Sequence, residues 1–250
     1  MNHIILFAFL LSFLAGISTT IGAIVAFFIK KPTHKILAFT LGFSAGVMVN
    51  VSFVELLIKA IDTIGFLYAN LAFLAGLLTI FAIDVLIPHE YVAEKFESKD
   101  PKLMKAGILT AMGIAIHNFP EGFATFAGAL HSIEVGTLLA IAISLHNIPE
   151  GLSVSIPIFY ATRNKRKALL YSFASGIFEP IGALIGAAFL LPFMTAHLLS
   201  SVLAFVAGIM VYISFAELLP AAHEYGKGHM VEVGVISGMA IMMFSLTMFM

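Results

Sequence analysis

The 250-residue chain contains no cysteine and no tryptophan, and only 11% of it is charged. Without cysteine there are no disulfides, iron–sulfur clusters, thiolate metal sites or thiol nucleophiles. Without tryptophan, any aromatic belt at a membrane interface has to come from the 6 Tyr and 24 Phe. The shortage of charge excludes most. Soluble domains carry about a quarter charged residues, whereas here 60% are hydrophobic. So little polar surface implies lipid, not water, as the solvent. A formal net charge of −1 gives no basic field for nucleic acid. There is no G-x-x-x-x-G-K-[ST] phosphate loop and no stretch left for an ATPase domain, so any transport has to run on gradients.

What is present is long apolar runs. A helix needs about 20 apolar residues to cross the hydrocarbon core, and eight runs qualify: roughly 4–29, 36–58, 64–87, 106–128, 135–158, 168–190, 199–221 and 231–250. The expectation is a single all-α polytopic membrane domain over 1–250. The first run has no basic residue ahead of it and is too long for a signal core, so it reads as a retained span. Of the 13 Lys and Arg, 12 fall in the loops after spans one, three, five and seven, and only Lys59 falls on the other side. The positive-inside rule makes those loops cytoplasmic and puts both termini outside.

Two segments repeat. Ala45–Leu57 (AGVMVNVSFVELL) and Ala207–Leu219 (AGIMVYISFAELL) agree at 9 of 13 positions. They lie in spans two and seven, five spans apart, and an odd number of spans reverses orientation. Ile21-Gly-Ala23 and Ile181-Gly-Ala183 echo each other in spans one and six. Spans one to three therefore form an inverted repeat with six to eight, around spans four and five. Many secondary transporters have this architecture, with their site near the midplane.

The polar residues inside the spans are few and concentrated. Span four carries His117-Asn118-Phe119-Pro120-Glu121-Gly122 and span five carries His146-Asn147-Ile148-Pro149-Glu150-Gly151, the pattern H-N-x-P-E-G twice. Span six adds Glu179-Pro180. An ionised carboxylate at mid-membrane costs about 2.5–3.5 kcal/mol, so three together demand protons or a bound cation. His at i and Glu at i+4 share one helix face, with Asn at i+1 three residues from that Glu. Pro120 and Pro149 are expected to open their helices and turn the carbonyls of Ile116 and Leu145 into a cavity. In span six, Ser175, Gly176, Glu179, Gly182, Ala183 and Gly186 share a small-residue face that would aim Glu179 inward. Imidazole, carboxylate and amide oxygen suit Zn, Fe(II), Mn, Co, Ni or Cd; they do not suit Cu(I), Ca or Mg. Drawn level, His117 and His146 leave Glu121 and Glu150 about 6 Å to opposite sides, so a shared site needs one helix to slide or tilt.

The doubled hexapeptide, the Glu-Pro of the next span and eight spans with both ends outside resemble the ZIP (Zrt/Irt-like) family of metal-ion transporters. The resemblance implies spans four and five clasped by the other six, and a binuclear midplane site. His117, Glu121, His146 and Glu150 would hold one metal; Asn118, Glu121, Asn147, Glu150 and Glu179 would hold the second. It also implies weaker ligands near the cytoplasmic exit. Asp84-Val-Leu-Ile-Pro-His89-Glu90-Tyr91 fits D-x-x-x-P-H-x-H except at Tyr91, and His223-Glu224 sits at the corresponding end of span seven. Asp84, His89, His223 and Glu224 are thus the exit candidates. Many members carry a His-rich loop between spans three and four; here Val92–Met104 has no histidine.

The expected function is inward uptake of divalent transition metals across a bacterial cytoplasmic (inner) membrane: zinc first, with iron, manganese and cadmium also fitting. The metal is cargo; no enzyme activity and no cofactor are expected, the partners are the ions and the bilayer, and a homodimer is compatible with such a bundle. The alternatives are an intramembrane metal-dependent hydrolase, which the lack of H-E-x-x-H disfavours, and a proton or cation channel.

Overall fold

A computed structural model describes residues 2–28, 33–86, 100–190, 195–226 and 228–249. Among these there is no strand, and the chain forms eight helical bodies. They are α1 (Asn2–Phe27), α2 (His34–Ile64), α3 (Phe66–Leu86), α4 (Pro101–His131), α5 (Ile133–Thr162), α6 (Lys165–Gly176, continued by Phe178–Ile185 and Gly186–Leu190), α7 (Ala196–Tyr225) and α8 (Met230–Phe249). The starts are set by local chemistry. Thr33, Asp100, Asn164 and Thr195 each accept a backbone N–H three residues on, satisfying an otherwise orphaned donor. Pro101 takes the first turn of α4, where no N–H is needed. Gly65, at φ 80°, turns α2 directly into α3, so the second span continues to Ile64 rather than ending at residue 58.

Seven of the eight helices are long and apolar enough to cross a membrane. The exception is α4, the helix carrying His117, Asn118 and Glu121. Those three are buried inside the bundle, so they lower the helix's apolar character without exposing their polar groups to lipid. The outer faces of α1, α3 and α8 are greasy: Leu14, Phe66, Leu67, Leu86, Ile236 and Phe244 all stand exposed. The chain is an integral, multi-pass membrane protein.

The helices pack in two layers of four. One holds α1, α4, α5 and α6; the other holds α2, α3, α7 and α8, with α2 against α8 and α3 against α7. Helices α4 and α5 are covered by α1 and α6 on one side and by α2 and α7 on the other. Within each layer, backbones touch through glycine. A Cβ added to Gly122 of α4 would collide with the carbonyl of Glu179 in α6, and one on Gly151 of α5 with that of Thr19 in α1. In the second layer Gly46 of α2 meets the carbonyl of Val235 in α8, and Gly76 of α3 that of Phe205 in α7. Between the layers the contact differs in kind. Gly113 of α4 faces the side chains of Ile209 and Ile213 from α7, part of an aliphatic core that also takes in Leu41, Met48, Ile114 and Val154.

The inverted repeat extends to the hydrogen bonding. The α-helical ladder widens to a π turn at Val51–Leu56 in α2 and again at Ser214–Leu218 in α7. At each, a serine returns its hydroxyl to the carbonyl four residues earlier: Ser52 to Met48 at 2.7 Å and Ser214 to Met210 at 2.8 Å. Such back-bonding competes with the backbone ladder and accompanies local widening.

The prolines act where they were not expected to. Helices α4 and α5 run unbroken through Pro120 and Pro149. Ile116 and Leu145, whose carbonyls lose their donors, carry exposed side chains, and Leu145 lines a cavity between α1 and α5 with Leu11, Leu14 and Ile148. The helix that is interrupted is α6. Pro180 cannot donate to Gly176; Ile177, at φ −65° and ψ −14°, closes the first segment and Phe178 opens the next, while Ile177 N–H still bonds Phe173 and Ile181 N–H bonds Ile177. Glu179 therefore sits in the first turn of that next segment.

Candidate metal centre

The two hexapeptides interlock across α4 and α5. One oxygen of Glu121 lies 3.0 Å from Nε2 of His117, its own i−4 neighbour, and 3.0 Å from Nε2 of His146 on the facing helix. Glu150 reaches back the other way, to 3.7 Å from Nε2 of His117. The imidazole centroids are 6.2 Å apart. The helices are thus staggered: Glu121 faces His146 and Glu150 faces His117. This removes the opposite displacements that a level arrangement would impose. His117, Glu121 and His146 each offer an atom within 4.8 Å of the others, and all three are buried.

The amides are oriented by donating away from the acids. Asn118 Nδ2 donates to the carbonyl of Ser175 in α6, at 3.1 Å. Asn147 Nδ2 donates to the carbonyl of Ala15 in α1, at 3.0 Å, and to a carboxylate oxygen of Glu179. Both amide oxygens are left buried with no hydrogen-bond partner, as are Nδ1 of His117, the second oxygens of Glu121 and Glu179, and both oxygens of Glu150. Glu179 also lies within electrostatic reach of Glu121 and Glu150. Buried polar atoms are normally paired; the unpartnered carboxylate and amide oxygens of this group are acceptors, and a neutral imidazole at His117 adds one more lone pair. The arrangement has the electron pairs for a cation.

This close approach depends on small residues. Gly122 and Gly182 bring α4 and α6 into backbone contact, and Gly151 does the same for α5 and α1. Ser12 of α1 donates to the carbonyl of Gly122 at 3.0 Å, and Ser172 to that of Thr19 at 2.9 Å. These serines were not singled out from sequence; their place in glycine-rich faces is the signal that would have found them.

All seven midplane candidates are therefore buried in one layer. Of the exit candidates, Asp84, His223 and Glu224 each have a different partner. His89 lies outside the described residues. Asp84 pairs with Lys105 at 2.5 Å and accepts from Tyr212 Oη at 2.6 Å. Glu224 pairs with Lys102 at 3.2 Å. His223 is exposed, its Nδ1 2.9 Å from the carbonyl of Leu219 and its Nε2 3.7 Å from Glu232. Lysines of α4 thus neutralise Asp84 and Glu224. Sequence reading had treated Lys105 only as a topology signal and gave Tyr212 no role.

The family model for the ZIP zinc transporter matches residues 89–246, a stretch holding both hexapeptides and Glu179. The chain belongs to the ZIP zinc transporter family. It is 48% identical over 260 residues to a protein named zinc transporter ZupT from Oceanobacillus iheyensis, covering 96% of this chain and 97% of that one. It is 49% identical over 256 residues to the ZupT of Streptococcus mutans, with 97% of each chain covered. The ZupT of Clostridium perfringens is 46% identical over 279 residues, with 100% of this chain and 98% of the relative covered. The ZIP family is one of transporters, not enzymes, and the eight-helix inverted repeat here is the ZIP fold.

Proposed function

We propose that this ZIP protein takes up zinc, moving the divalent ion inward across the cytoplasmic membrane through the site shared by α4, α5 and α6. The observation that carries the reading is the set of buried side-chain nitrogens and oxygens without hydrogen-bond partners on His117, Asn118, Glu121, Asn147, Glu150 and Glu179. Glu121 sits between the two imidazoles, and Glu150 beside His117. His117, Glu121, His146 and Glu150 would hold one ion. Asn118, Asn147 and Glu179, sharing Glu121 and Glu150, would hold a second. Seven side chains exceed the four to six that one ion takes, which supports a binuclear site. The donor set also suits iron, manganese and cadmium. The relatives' names support zinc.

With basic loops inside, both termini face out, and an inward-moving divalent ion gains about 2.3 kcal/mol per charge per 100 mV, or about 4.6 kcal/mol in all. That gain, with cytosolic chelation, drives uptake without nucleotide hydrolysis. The test is accumulation of radioactive zinc by cells carrying Glu150→Ala or His117→Ala. Uptake should fall to background at unchanged membrane expression. Unaltered uptake would remove the site assignment.

A further inference from the structure

An inverted repeat should make the two ends of the bundle equivalent, and the polar contacts between the layers depart from that. At the end where α4 begins and α3 and α7 finish, four ties cross from one layer to the other. Lys105 pairs with Asp84, Lys102 with Glu224, Tyr225 Oη donates to Asp100, and Tyr160 Oη donates to the carbonyl of Thr33 at 3.1 Å. Of the two ion pairs, Lys102–Glu224 is exposed, while the Lys105 side chain is 8% and that of Asp84 16% accessible. The repeat shows how this end became special. Glu55, in the π turn of α2, takes Lys59 of its own helix at 2.8 Å. Its counterpart Glu217, in the π turn of α7, instead faces Asp84 and Lys105 from α3 and α4. Tyr212, which holds Asp84, stands where the other copy has Asn50.

We propose that the Lys105–Asp84 pair is a latch closing this end of the interface between the layers, and that Lys105 is a positioning residue which must leave Asp84 before metal can depart this way. The proposal rests on the reading that the site carries metal across the membrane. Along much of the interface the layers meet through apolar side chains such as Ile114, Ile209 and Ile213, which slide more readily than backbones locked through glycine. A buried charge cannot simply lose its partner, and Glu217, beside the same pair, offers the ammonium a second acceptor as the layers shift. Lys105 lies on the helix that carries His117 and Glu121, so movement of the site and release of the latch are mechanically one event.

The absence of native cysteine gives a direct test. Ile213 is fully buried, with its Cδ1 against Gly113 of α4, on the interlayer surface between the latch and the site. In Ile213→Cys protein, the rate of N-ethylmaleimide labelling in zinc-free membranes reports opening of that surface. With Lys105 intact, labelling should be slow; Lys105→Met should raise it about tenfold or more, a shift in the open population. Lys105→Arg, and the reversed pair Lys105→Asp with Asp84→Lys, should label slowly again at matched membrane amounts and melting temperatures. Labelling of Lys105→Met at the parent rate, or a reversed pair labelling as fast as Lys105→Met, would overturn the latch. Ile209→Cys, on the same surface, supplies a second probe. Failure of the transport reading would appear in zinc uptake and leave these rates unmoved.

Discussion

The two layers are built from the same kind of helix and differ in what they bury. Helices α1, α4, α5 and α6 bury a polar cluster, His117, Asn118, Glu121, His146, Asn147, Glu150 and Glu179, alongside apolar side chains such as Ile114 and Val154. In α2, α3, α7 and α8 the interior is aliphatic, with Leu37, Leu41, Met48, Ile80, Ile209 and Met210 fully buried. Both lock their own backbones together through glycine, yet meet each other side chain to side chain. A layer that holds a doubly charged ion needs rigid geometry, because ligand atoms displaced by tenths of an ångström lose the ion. On the proposed latch, the other layer supports movement and needs a smooth face.

That contrast can be broken at its strongest point first. Glu121→Ala removes the oxygen that both imidazoles approach, and zinc binding measured by calorimetry should weaken by more than about 100-fold, beyond what loss of an orienting neighbour costs. The same variant should lose the rise in melting temperature that added zinc gives the parent, a stabilisation of about 2.7 kcal/mol at 100 times Kd. Next comes the backbone lock. Gly122→Val drives side-chain atoms into the Glu179 carbonyl and should cost at least the ~1–3 kcal/mol of an overpacked core, read as a lowered melting temperature in detergent. Gly113→Ala sharpens the comparison: its methyl meets only the movable ends of Ile213 and Ile209, so the melting temperature should fall less than with Gly122→Ala, the same added methyl against backbone. The smallest effect belongs to Glu224→Gln. The exposed pair with Lys102 is worth about 0–1 kcal/mol, so neither melting temperature nor zinc uptake should change measurably.

Much of the molecule was legible in the sequence because membrane solvation enforces a simple pattern. Helix number follows from run length, and the repeat from matching Ala45–Leu57 with Ala207–Leu219. The cluster of His117, Glu121, His146 and Glu150 follows from asking what could compensate acids buried in oil. The stagger between α4 and α5 was not legible, since it is fixed by Gly122 against Glu179 and Gly151 against Thr19, contacts between distant segments. The fate of the prolines was not legible either. All three sit beside a glutamate in apolar runs, but α4 and α5 stay continuous while α6 is interrupted after a Ser175-Gly176 pair. The pairing of Lys105 with Asp84 was hidden because a lysine near a span end is first of all a topology signal, and its partner lies on another helix.

The matched π turns carry a consequence for the molecule's history. Each squeezes one surplus residue into a helical ladder at the same register, sealed by the same serine-to-methionine bond. Two independent insertions landing on equivalent residues are far less economical than one. The widened turn therefore belongs to the repeated three-span unit itself, carried by α2 in one copy and, in the opposite orientation, by α7 in the other. The two copies differ at neighbouring positions, among them Asn50 in one and Tyr212 in the other.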